Sequence, residues 1–175
     1  MKPAPDSDHT PEGAGFTDLI LQVFKLNGRL LSAGDQLVSS LGLTSARWQV
    51  LGAIALSGAP QPVANIARDM GLTRQAVQRV VNELEAEGFL SFAPNPHHQR
   101  AKLVVLSKSG TKAFQAATKR QTPWANELAR GFSARDIRTA LGVVREIVTR
   151  LENTACDTST QGVQSWGSTS ARACA

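Results

Sequence analysis

Arg74, Gln75, Gln78, Arg79 and Asn82 recur at steps of one, three and four residues, so on an α-helix they share one side. All five are long or branched hydrogen-bonding groups, and no acid stands among them. Guanidinium groups bind phosphate and the guanine edge, and glutamine or asparagine amides match the major-groove edge of adenine. Carboxylates, which phosphates repel, begin only at Glu83 and continue at Glu85 and Glu87. Such a face is suited to recognition rather than bond making: its N-terminal half can enter a groove lined with phosphates while its C-terminal half faces solvent. A second set of polar groups, His98, Gln99, Arg100 and Lys102, follows Pro94 and Pro96, and Arg100 suits the more negative potential of a minor groove.

The apolar residues say what positions these groups. Val63, Ile66, Ala67 and Met70 keep helical spacing, Gly71-Leu72 interrupts it, and Val77, Val80, Val81 and Leu84 resume it. Gly71 can adopt the positive φ of a sharp turn, Leu72 is expected to tuck beneath it, and Thr73 caps the second helix. Phe89–Phe92 and Lys102–Leu106 read as strands joined by the proline-stiffened loop Pro94–Arg100. Helix, turn, helix and a two-stranded wing make residues 44–106 a winged helix-turn-helix, which points to double-stranded DNA as the partner. Long amphipathic helices flank it, Phe16–Leu41 on one side, Ser109–Gly131 and Ala134–Asn153 on the other. Ser133 and Asp136 have capping-box spacing before the last of these. The expected fold class is mostly α with a small β wing. The flanking apolar stripes either close an intramolecular core or form an interface between two copies. Residues 1–15 and 154–175, poor in periodic apolar positions, are expected to be a disordered arm and a flexible tail.

From about Phe16 to Asn153 the chain resembles the MarR family of bacterial transcription regulators. The resemblance rests on LGLTSARWQVL before the motif, LTRQAVQRVVNELEAEGFL within it, NPHHQRAKLVVLSKSG across the wing, and the long terminal helices. It implies an obligate homodimer of mostly helical subunits that binds pseudo-palindromic operators, usually represses, and often leaves DNA when a small aromatic or phenolic compound binds. The DNA-binding positions it suggests are Thr73, Arg74, Gln75, Gln78, Arg79, Asn82, His98, Gln99, Arg100 and Lys102. Many members carry an acid and two consecutive basic residues near the wing tip, where this chain reads His98, Gln99 and Arg100. The second basic residue is kept; the acid, which can brace an arginine of the DNA-binding elements, and the first basic residue are not. Arg47 and Trp48, on the apolar helix before the motif, are candidates for a ligand cavity, with Arg47 meeting a carboxylate or phenolate and Trp48 otherwise packing in the core.

Net charge alone would have directed attention elsewhere. The chain carries 19 basic and 14 acidic residues, but residues 62–106 hold 5 and 4 while residues 107–153 hold 9 and 4. Placement of Arg74, Arg79, Arg100 and Lys102, not their number, supports a polyanionic partner. No phosphate-binding glycine loop, nucleophile elbow or metal-ligand cluster argues for an enzyme, and no cofactor is expected. His97-His98 without a third ligand makes a poor metal site. Cys156 and Cys174 lie in the polar tail, so thiol sensing is not expected. No apolar run approaches the roughly 18 residues of a membrane span, which leads to the expectation of a soluble cytoplasmic protein. The remaining alternatives are a winged helix that grips another protein, disfavoured by the polar second-helix face, and a DNA-binding regulator without an effector.

Overall fold

In the computed structural model of the chain, the Thr10 hydroxyl accepts the Gly13 N–H at 3.1 Å and Pro11 opens the first helix, α1 (Pro11–Val38). The structure describes residues 9–98 and 100–164, with the backbone alone for residues 155–164. Helix α1 thus begins inside the segment expected to be a disordered arm. A capping threonine followed by proline at the first helical position starts a helix without needing apolar periodicity. At its other end α1 stops at Val38, and Ser39–Leu41 form a separate 3-10 turn rather than the end of one long helix.

Three helices then build most of the core. Helix α2 (Ser45–Leu56) is capped by Thr44, and its first N–H, that of Ser45, donates to Asp35 Oδ1 of α1 at 2.6 Å. Helix α3 (Val63–Asp69) and helix α4 (Arg74–Ala86) bury the two apolar runs read from the sequence: Val63, Ile66 and Ala67 from one, Val77, Val80, Val81 and Leu84 from the other. Leu51, Ile54, Leu90 and Val104 close the same cluster. Each fully buried side chain of this size contributes about 1.5–3 kcal/mol through apolar surface removed from water. Met70 is only partly buried, and Leu72 is half exposed rather than tucked under the turn. Its N–H bonds the Ala67 carbonyl, so the backbone closes the turn and the side chain is left facing outward.

The wing is the outer part of a three-stranded antiparallel sheet. Strand β2 (Leu90–Ala93) pairs with β3 (Leu103–Leu106), with Leu90 opposite Leu106 and Ala93 opposite Leu103. A strand not anticipated, β1 (Gln61–Pro62), adds to the other side of β3, giving the order β1-β3-β2. Proline cannot donate to a ladder, and Pro62 sits where that is tolerated, on an edge strand. Helix α5 (Lys108–Leu128) follows the sheet and buries Ala117 against the core. Arg120 of α5 donates to the Leu37 carbonyl at 3.2 Å and to the Ser40 hydroxyl, tying α5 to the end of α1.

The chain divides into two compact units after Asn126. In the second, Ser133 precedes α6 (Ala134–Gln164) and accepts the Asp136 N–H at 3.1 Å. The Asp136 carboxylate accepts a hydrogen bond from the Ser133 hydroxyl at 2.7 Å, so the shorter acid closes on the side chain in place of the backbone N–H of a full capping box. Helix α5 ends three residues earlier than expected, ahead of a turn in which Gly131 has φ 88°. Helix α6 instead runs beyond Asn153 into the segment expected to be a tail. No glycine or proline interrupts Thr154–Gln161, so the hydrogen-bond ladder has no break at which to stop. Cys174, and the parts of both expected end segments at residues 1–8 and 165–175, lie outside the described residues.

Candidate nucleic-acid interface

Helix α4 owes its placement to both of its ends. Gly71 has φ 64° and turns the chain, Thr73 accepts the Ala76 N–H at 3.2 Å, and the apolar side locks onto the core. The opposite side is therefore free, and Thr73, Arg74, Gln75, Arg79 and Asn82 are all exposed, with Gln78 half-buried. No acid in the first turn opposes the partial positive charge of the helix N-terminus, which itself favours anions. Gln78 donates to Asn82 Oδ1 at 2.8 Å, which fixes the two amides relative to each other before any partner arrives.

A cleft of about 770 Å³ separates this helix from the wing. Arg74, Gln78 and Asn82 of α4 line it, as do Phe92, His98, Arg100 and Lys102 of the wing. Six of the ten positions suggested from the sequence thus converge on one concave surface. Thr73, Gln75 and Arg79 do not line it, and Gln99 lies outside the described residues. Asn65 of α3 and Asn95 of the wing, neither singled out from the sequence, line the same cleft. A lone asparagine in a helix or loop carries no periodic signal, so only the fold brings these two to the site.

The wing tip is held by local bonds. Asn95 Oδ1 accepts the His97 N–H at 3.0 Å, and the Asn95 carbonyl accepts the His98 N–H at 3.3 Å. These bonds shape a tip at which position 98 is histidine rather than an acid. Lys102 lies 5.9 Å from the Phe92 ring centre, an arrangement worth about 0.5–1 kcal/mol at an exposed site.

Arg47 and Trp48 stand apart from the cleft. Trp48 packs against the core, in keeping with the core-packing alternative. The Arg47 guanidinium, expected to meet the carboxylate of a ligand, meets two of the chain's own. It holds Glu87 through two bonds, of 3.0 and 2.6 Å, and Glu83 through Nε at 3.4 Å. The Glu87 hydrogen bond, more than any other influence, raises the Arg47 pKa above its ordinary value. Sequence spacing gave no sign of this cluster, because its members are 36 and 40 residues apart. It also changes the expectation that the acids of α4 merely face solvent.

A helix-turn-helix with an adjoining β wing, its outward helix face cationic and free of acid at its N-terminal half, defines a winged-helix transcription regulator. A sequence profile described as the MarR family matches residues 41–101. The chain is 34% identical over 134 residues to an uncharacterised protein of Mycobacterium tuberculosis, spanning 77% of this chain and 92% of that one. It is 24% identical over 137 residues to the transcriptional activatory protein BadR of Rhodopseudomonas palustris, spanning 77% and 78%. The crystal structure of CouR from Rhodococcus jostii RHA1 bound to p-coumaroyl-CoA has the same fold, with a TM-score of 0.67 at 20% identity over 74% of this chain and 91% of that one. The chain belongs to the MarR family, whose members are DNA-binding transcription regulators rather than enzymes. No helix among the described residues is long and apolar enough to cross a membrane.

Proposed function

We propose that the protein is a homodimeric repressor that binds a pseudo-palindromic operator and is released from it by a small aromatic or phenolic compound. In this reading α4 enters the major groove. Thr73, Arg74, Gln75, Gln78, Arg79 and Asn82 meet bases and phosphates there. The wing residues His98, Gln99, Arg100 and Lys102 track the adjacent backbone and minor groove. The observation that carries the reading is the acid-free N-terminal half of the outer face of α4, which shares a cleft with the wing cations.

Dimerisation is supported by apolar surface that a lone chain leaves in water. Phe16, Ile20, Val23 and Leu30 of α1 are exposed, as are Ile137, Leu141, Val144, Val148 and Leu151 of α6. The α6 set steps by four, three, four and three, the spacing of a seam between helices. Two copies would set their α4 helices in successive major grooves, about 34–36 Å apart. For the effector, support comes from the bound p-coumaroyl-CoA of CouR, which makes aromatic acids and their thioesters the compounds to screen.

The test begins with fragments selected from random duplex DNA by the full-length protein. Arg79→Ala is expected to weaken binding to a selected fragment severely and to lower the salt dependence by about one phosphate contact per subunit. Unchanged affinity and slope would remove Arg79 from the interface. Because BadR is described as an activatory protein, transcription from the selected fragment, with and without protein, decides between repression and activation.

A further inference from the structure

Arg79, Glu83 and Glu87 follow one another at four-residue steps and so form one row along α4 and its C-cap, Glu87. Neighbours in such a row have Cβ atoms about 5–6 Å apart, close enough for opposite charges to pair. The middle carboxylate therefore has a cation on either hand: Arg79 within its own helix, and Arg47 reaching across from α2. In the structure Glu83 goes to Arg47, at 3.4 Å, and among the described residues Arg79 has no ion pair. The geometry that allows this is the fork of one guanidinium. The two terminal nitrogens of Arg47 hold Glu87 while Nε is left for Glu83, and Arg47 Nη1 also reaches the Gly42 carbonyl at 3.5 Å. With a side chain only 18% exposed, Arg47 is anchored where Arg79 is not.

From this geometry we infer that Arg47 is a positioning residue that keeps the Arg79 guanidinium available to DNA by holding the Glu83 carboxylate that would otherwise pair with it. The inference rests on the reading of Arg79 as a DNA contact. Without Arg47, Glu83 turns toward Arg79 and neutralises it in part. Because the intrahelical pair has its arginine N-terminal to its acid, the weaker of the two orders, the effect is moderate: about twofold in affinity for each subunit bound.

The test is the binding of the full-length protein to a labelled random-sequence duplex at fixed ionic strength, followed by fluorescence anisotropy. Arg79→Ala is measured first and is expected to weaken binding; if it does not, the reading of Arg79 fails and the inference falls with it. Arg47→Met is expected to weaken binding about twofold for each subunit bound, and to have no further effect in the Arg79→Ala background. The decisive pair is Arg47→Met/Glu83→Gln against Arg47→Met/Glu87→Gln. Both have the net charge of the parent chain, but only the first removes the competitor of Arg79, so only the first is expected to recover parental affinity. Equal recovery by both would reduce Arg47 to a contribution to net charge, and recovery by neither would reduce it to a brace for α4. Either result overturns the inference while leaving Arg79 in place as a contact. Should circular dichroism show Arg47→Met to be unfolded, Arg47→Lys carries the same comparison. A lysine ammonium lacks the fork needed for two carboxylates, and the same contrast between Glu83→Gln and Glu87→Gln is expected.

Discussion

Two glycines show how much can hang on the absence of a side chain. At Gly71 the constraint is angular: φ is 64°, and nothing lies within reach of an added methyl. Gly71→Ala is expected to cost about 1 kcal/mol, the penalty of a left-handed conformation for an L-residue, measured as a lower urea midpoint. At Gly110, at the start of α5, the constraint is space. An added Cβ would overlap the Phe89 carbonyl and crowd Leu106. Backbone cannot swing aside as a flexible side chain can, so Gly110→Ala is expected to destabilise by about 1–3 kcal/mol and more than Gly71→Ala. If the order were reversed in the same urea series, close packing between α5 and the Phe89 backbone would not be what selects glycine there. The two positions differ in legibility for the same reason. A glycine between two helical periodicities announces a turn, whereas one whose neighbour is a carbonyl 21 positions earlier announces nothing. Arg47 belongs with Gly110, since its partners are close only in the folded chain.

Elements were legible where periodicity ran long enough. Four valines and leucines at helical spacing, Val77 to Leu84, locate α4 and its buried side, and Thr73 marks its start. Two residues cannot show a period, so β1 escaped notice, and its Pro62 argued against a strand. Apolar type alone misplaced Leu72, because solvent exposure in a turn follows the backbone path. Helices α1 and α6 extend into both polar end segments, and at the first of these Thr10 followed by Pro11 is a cap that starts a helix without apolar periodicity. At this scale Thr73 offers a clean prediction. Its hydroxyl satisfies the Ala76 N–H, so Thr73→Ala is expected to cost about 1 kcal/mol of stability, and Thr73→Ser to restore most of it. Equal melting curves for the two variants would mean that the cap contributes nothing. Of the cleft, the α4 wall was legible from one helix's polar face, while the contributions of Asn65 and Asn95 depend on how α3 and the wing meet it.

For the whole molecule, the proposed dimer makes the apolar seam of α6 the most informative target. Leu141→Glu/Val148→Glu places two carboxylates in that seam, and sedimentation equilibrium is expected to show a monomer that retains its helical content. Such a monomer is expected to bind a selected operator far more weakly than the parent, because one α4 then contacts one half-site. A dimer that persists would place the interface elsewhere. The resemblance in sequence anticipated two copies, but no residue spacing could distinguish apolar stripes that face each other in one chain from stripes that face a second chain. One further property of the molecule comes from Pro123, which stands inside α5. It has no N–H to give to the carbonyl of Lys119, four residues before it, so the hydrogen-bond ladder of α5 is broken once near its last turns. Opening of the helix beyond that point need not spread back toward Ala117. In native-state hydrogen exchange, amides of residues 124–128 are expected to exchange through local fluctuations while those around Ala117 wait for unfolding of the core, and Pro123→Ala is expected to slow the former without changing the latter.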